Sequence, residues 1–152
     1  MNAGPRGALA LGSSLALVAC VGCAELHAQS IVEARRSSIR SVYVVPEAED
    51  RSGIADLFVA DLRARGLDAF IGVDDRRAIA EARADAVLLY QSRWWWDITP
   101  YLLSLDAQLR DPTTNAVLAA AQSYRPSLQR VEPVKMVHEV ADAILGERPR
   151  GD

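Results

Sequence analysis

Beyond position 23 this 152-residue chain contains no cysteine. Its two, Cys20 and Cys23, sit near the N-terminus, so the remainder holds neither a disulfide framework nor a thiolate metal site. Histidine is almost as scarce, with only His27 and His138. A metal centre would need several convergent ligands that the sequence does not assemble. A Ser-His-Asp set would need His138 as its base, and the motif that presents a nucleophilic serine is missing. No glycine-rich phosphate loop follows a candidate strand; Ser52-Gly53 alone is no such signal. The pairs Arg35-Arg36 and Arg76-Arg77 are isolated, which argues against phosphate-backbone binding and hence against a nucleic-acid partner. These shortages point to no catalytic residues, no metal and no cofactor.

Long apolar runs are lacking as well. Residues 8–19 are all apolar or small, but about a dozen residues is too short to cross a bilayer core of roughly 30 Å as a helix. Extended to Ala24, where Glu25 ends it, the stretch is still poor in Leu, Ile and Phe. Preceded by a short segment whose one charge is Arg6, it has the dimensions of a signal-peptide core. The run ends in Leu17-Val18-Ala19-Cys20, which resembles a bacterial lipobox. That resemblance implies cleavage before Cys20, a diacylglycerol on its sulfur and a palmitate-type acyl group on its new amine. Burying acyl chains contributes about 0.8 kcal/mol per methylene; one chain holds marginally, two or three durably. Cys23 is a second candidate, although the pattern's Leu position would then be Cys20. In the alternative, an ordinary signal peptidase cuts after Ala24 and releases a soluble chain, since Gly22 and Ala24 are both small. With Val21 rather than Asp after Cys20, similarity to enterobacterial lipoproteins implies the periplasmic face of the outer membrane.

Cleavage before Cys20 leaves 133 residues, enough for one domain with a core. Without Arg6, 16 basic residues stand against 20 acidic ones, a net charge of about −4. Residues 20–38 lack a sustained apolar period and read as the lipidated N-terminus and a tether. Residues 39–45 read as a strand stopped by Pro46. Ser52 is placed to cap a helix reaching Arg65, with Ile54, Phe58 and Leu62 on one face and Gly66 as its stop. A second strand covers 67–73. Asp74 or Asp75 caps a short helix over 76–83, with Ile79 and Ala82 inward. A third, longer strand covers 86–96. Residues 101–110 alternate, placing Tyr101, Leu103, Leu105, Ala107 and Leu109 on one face. Asp111, Pro112 and Asn115 mark a turn, 116–124 form a fifth strand, and Pro133 opens a helix ended by Gly146. Residues 147–152 are a polar tail. The order β-α-β-α-β-β-β-α predicts a single mixed five-stranded α/β sheet in a domain over 39–146, its first three strands parallel and its last three a meander.

The strand 39–46, the helix to Gly66, Ala84-Asp85-Ala86-Val87-Leu88-Leu89-Tyr90, the strand and Asp-Pro turn over 101–112, and the strand 117–124 together are similar to small α/β domains of bacterial envelope lipoproteins. The likeness is to the TolB N-terminal and curli-secretion lipoprotein type and to penicillin-binding-protein activator lipoproteins. It implies a non-catalytic interaction or assembly module, anchored in the membrane by lipid, whose partner is an envelope protein or another copy.

One local feature stands out: Arg93-Trp94-Trp95-Trp96-Asp97, followed by Tyr101, gathers every tryptophan of the chain. On a strand, Trp94 and Trp96 face one way and Trp95 the other. Either both faces are covered and the indoles pack in core and edge, or they form an exposed patch near a hairpin end. In the second case Arg93, Trp94, Trp95, Trp96 and Tyr101 are the candidate binding residues, for a partner protein or for a lipid or glycan ligand. His138 reads as a boundary residue beside the apolar stripe of the last helix.

Overall fold

The computed structural model describes residues 25–30, 38–48 and 52–145, the first of these segments as a strand. Cys20 and Cys23, most of the segment read as a tether, and the tail at 147–152 lie outside the described residues. Six strands form one mixed sheet: β1 (Glu25–Ser30), β2 (Ser41–Val45), β3 (Asp68–Ile71), β4 (Ala86–Trp96), β5 (Pro100–Arg110) and β6 (Val117–Tyr124). Their spatial order is β1-β6-β5-β4-β2-β3. The helices are α1 (Ile54–Ala64), α2 (Arg76–Ala82) and α3 (Pro133–Leu145), with a 3₁₀ turn at Ser127–Gln129.

β2 runs parallel to both β3 and β4, and β4, β5 and β6 form an antiparallel meander, as the element order predicts. The chain steps from β2 outward to β3 and then back across β2 to β4. Two right-handed crossovers in opposite directions place α1 and α2 on opposite faces. β2 is therefore covered on both sides, which suits its unbroken Val-Tyr-Val-Val run. On one face Val42, Val44 and Leu88 meet Ile54 and Phe58 of α1 and Val140 of α3 in the main core. Full burial of a side chain such as Phe58 contributes about 1.5–3 kcal/mol. On the other face a smaller cluster of Tyr43, Val45, Ala84 and Val87 lies under α2, with Phe70 edge-on to Tyr43 at 5.5 Å.

Local chemistry sets the boundaries. α1 begins at Gly53 (φ 75) with no side-chain cap, so Ser52 does not hold the expected N-cap. It closes through Gly66 (φ 82), whose positive φ lets Leu67 N–H return to Leu62 O at 3.1 Å. α2 is capped by Asp75, which accepts from Ala78 N–H at 2.8 Å. In the β5–β6 turn the Asp111 carboxylate accepts from the Thr113 and Thr114 N–H groups, and Asn115 takes φ 60.

Two expectations need correction. Residues 25–30, inside the segment read as a tether, form β1 and pair antiparallel with β6, giving the sheet a sixth strand. The free edge of β6 supplies that pairing, and the sequence Glu-Leu-His-Ala-Gln-Ser carries little strand signal of its own. The alternation of β5 also breaks. Arg93 lies opposite Ser104 but Trp94 lies opposite Leu102, so Leu103 is an extra residue. This bulge puts Leu102 rather than Leu103 into the core alongside Leu105.

Candidate functional site: an exposed tryptophan hairpin

β4 and β5 are each eleven residues long and outrun their neighbours. β2 ends opposite Leu89 and β6 ends opposite Ser104, so the strands continue past both as a two-stranded rib closed by 97–99. Where β4 leaves β2, the Glu47 carboxylate replaces the missing partner strand. It accepts from Ser92 N–H at 2.9 Å and from Ser92 Oγ at 2.8 Å.

The rib carries the tryptophans. Trp94, Trp95 and Trp96 are 39%, 59% and 70% exposed, so the exposed-patch arrangement is the one the fold adopts. Trp94 and Trp96 continue the side of β4 that bears Tyr90, and Trp95 projects from the other. Ile98 at the turn is exposed as well. Arg93 is exposed at the base of the rib, whereas Tyr101 is buried and does not belong to the open patch. The Arg130 guanidinium lies 4.3 Å from the Tyr101 ring centroid. Arg130 also donates to Asp97 at 2.6 Å and to Thr99 Oγ1 at 3.2 Å, tying the tip to the segment before α3. Sequence reasoning missed Arg130 and Glu47, because neither is close in sequence to the residues it supports.

A polar cluster joins the ends of α1 and α3. Arg65 donates to Asp61 at 2.6 Å and to Asp142, and its Nη2 lies 2.8 Å from His138 Nδ1. That same Nδ1 lies 2.7 Å from Asp61 Oδ1. His138 is thus a boundary residue, half exposed, as its position beside the stripe implies. Burial opposes the Arg65 charge, but hydrogen bonds and attraction from Asp61 and Asp142 outweigh it and raise the pKa above the ordinary arginine value. The cluster fastens two helices. The Asp61–Arg65 spacing of four was legible as a helix-surface ion pair, but its link to Asp142 was not.

Two grooves lie away from the tryptophans. One, of about 600 Å³, runs between α2 and the turn at 111–115 over a floor that includes Val87 and Leu89. The other, of about 310 Å³, lies on the sheet face among Leu89, Tyr90, Gln91, Asp106, Gln108 and Arg110. Among the described residues no group of three or more His, Cys, Asp or Glu is placed to hold a metal ion, and no helix is long and apolar enough to cross a membrane.

No protein-family model and no curated protein matches the chain. Solved structures do. The PelC dodecamer from Paraburkholderia phytofirmans superposes with a TM-score of 0.63 at 20% identity, over 83% of this chain and 99% of that one. A single-substitution variant of the same dodecamer gives 0.62 at 18% identity, over 83% and 100%. The lipoprotein GNA1162 from Neisseria meningitidis gives 0.42 at 17% identity, over 59% and 83%. The PelC likeness establishes a shared fold across nearly the whole of that chain.

Proposed function

We propose that this chain is a lipid-anchored, non-catalytic module of the bacterial cell envelope. In this reading Cys20 holds it at the periplasmic face of the outer membrane, and it acts through contacts, including contacts with its own copies. The observation that carries the reading is the tryptophan hairpin. Three consecutive indoles stand in solvent on a rib fixed at its base by Glu47 and at its tip by Arg130. Exposed Trp held rigidly is the residue type that dominates contact energetics, because little side-chain entropy is lost when it is covered.

The two grooves described above are lined by other residues, and the indoles stand exposed on the rib, which supports a contact surface. A lipid or glycan stacked on the same indoles is the second reading, supported by their exposure. Self-association draws support from the PelC structures, which are dodecamers of the same fold.

Two experiments test this reading. A photo-crosslinking amino acid at position 96 in intact cells should give an adduct with an envelope component; its absence overturns the contact surface. Light scattering on protein extracted from membranes should give a mass several times that of one chain. A single-chain mass at every concentration overturns self-association.

A further inference from the structure

Outside β1, nine large apolar side chains are exposed among the described residues, and seven of them gather at one end of the sheet. Trp94, Trp95, Trp96 and Ile98 sit on the hairpin. Tyr124, Leu128 and Val134 sit on the segment beside it, whose Arg125 N–H donates to Leu103 O and whose Arg130 holds Asp97. A gathering of this size on one end marks an interaction surface.

The register shows where the N-terminal chain meets that end. Glu25 pairs with Tyr124, Tyr124 with Ser104, and Ser104 with Arg93. The polypeptide therefore enters the sheet on the rung from which the tryptophan rib departs. Cys20 precedes Glu25 by five residues, a reach of at most about 17 Å. From the Arg93 rung to the turn the rib advances four residues, roughly 13 Å. An anchor at Cys20 can thus lie at the level of the indoles without lifting the domain away. The one acid of the tip, Asp97, is paired with Arg130, which lowers the cost of bringing it to a lipid surface. Indole rings favour the boundary layer between headgroups and acyl chains.

We propose that this end faces the bilayer, and that Trp94, Trp95, Trp96 and Ile98 lie in the interfacial layer of the same membrane that holds the Cys20 anchor. This rests on the anchored reading above and gives the exposed indoles one occupant, the phospholipid of that membrane, in place of a protein partner. The domain then stands on two supports, lipid chain and aromatic rib, which fix its orientation.

Because every tryptophan of the chain lies here, intrinsic fluorescence reports this site alone. The full chain, extracted from cells and weighed intact, is reconstituted in phosphatidylethanolamine–phosphatidylglycerol vesicles, with a Cys20→Ala chain beside it. The expected result is blue-shifted emission, quenching by brominated acyl chains and several-fold protection from aqueous iodide, reduced step by step in Trp95→Phe and Trp96→Phe. A lipid-sized mass with indoles still open to iodide and untouched by brominated lipid overturns this proposal and leaves the anchor standing. No mass increment and no quenching overturns both. Quenching without the increment retains the membrane surface and overturns only the anchor. Protection that follows protein concentration rather than lipid assigns the surface to a second copy and overturns the proposal.

Discussion

Arg65 and Asp142 form an ion pair between α1 and α3 in which the two side chains are 8% and 5% exposed. The helices meet through this pair and the apolar stripe beneath it. Asp142→Ala takes one carboxylate away from the guanidinium in a place where burial disfavours charge. We expect a loss of about 3 kcal/mol in urea unfolding, the low end for a broken buried pair because His138 leaves one side open to water. Asp142→Asn, which keeps an acceptor, should lose less. A change under about 0.5 kcal/mol for Asp142→Ala, the size of an ordinary surface substitution, would contradict this view of the interface.

Gly72 lies directly beneath Tyr43. A Cβ at position 72 would stand 2.0 Å from Tyr43 Oη and 2.1 Å from its Cζ, so Gly72→Ala must displace the ring. Displacement also threatens the 3.0 Å bond from Tyr43 Oη to Val73 O. The expected cost is about 1–3 kcal/mol, as for other overpacked sites. In a Tyr43→Ala background the same substitution should cost much less. Additivity of the two changes in a double-mutant cycle would refute the steric account.

Asp85 joins the starts of β2 and β4. Its carboxylate accepts from Arg40 N–H at 2.8 Å, from Ser41 N–H at 2.9 Å and from Ser41 Oγ at 3.0 Å. The Arg40 amide is the main cause that holds its pKa below the ordinary value, against the opposing effect of burial and with help from Ser41. A depressed folded-state pKa stabilises the fold above the unfolded value of about 3.9, and the contribution is lost as pH falls through the folded value. Asp85→Asn should therefore melt earlier than the parent at neutral pH, with the gap closing on acidification below about pH 4. A gap that widens in acid would contradict the assignment.

Glu47 completes the β-ladder where β2 stops. Glu47→Ala removes the acceptor of Ser92 N–H and Oγ, and leaving such a part-buried donor unpaired costs about 1–3 kcal/mol. Amide exchange at Ser92 should quicken, with the rib beyond it following. Unchanged exchange at Ser92 would show that the carboxylate does not hold the base of the rib.

Legibility followed range. The Val-Tyr-Val-Val strand, the stop at Gly66, the Asp75 cap and the turn with Pro112 and Asn115 are short-range chemistry, and the sequence contains all of it. The parallel–antiparallel division of the sheet followed from element order and the handedness of crossovers. β1 did not, because it is defined by β6's unpaired edge rather than by its own residues. The bulge at Leu103 was hidden because the alternation from Tyr101 to Leu109 is as regular in the sequence as an unbroken strand. For the site, the run of tryptophans identified the residues and offered both their arrangements. Exposure depended on how far β4 and β5 outrun β2 and β6, a difference of strand ends that lies in no single segment. Tyr101 was grouped with the open indoles by proximity, and Arg130, distant in sequence, covers it instead.

Cys20 as membrane anchor underlies both the proposed role and the proposed orientation. The most direct test is intact mass with membrane fractionation of the natively expressed chain, beside Cys20→Ala and Cys23→Ala. We expect a lipid-sized increment and membrane retention in the parent and in Cys23→Ala, and loss of both in Cys20→Ala. A soluble product beginning after Ala24 would contradict it.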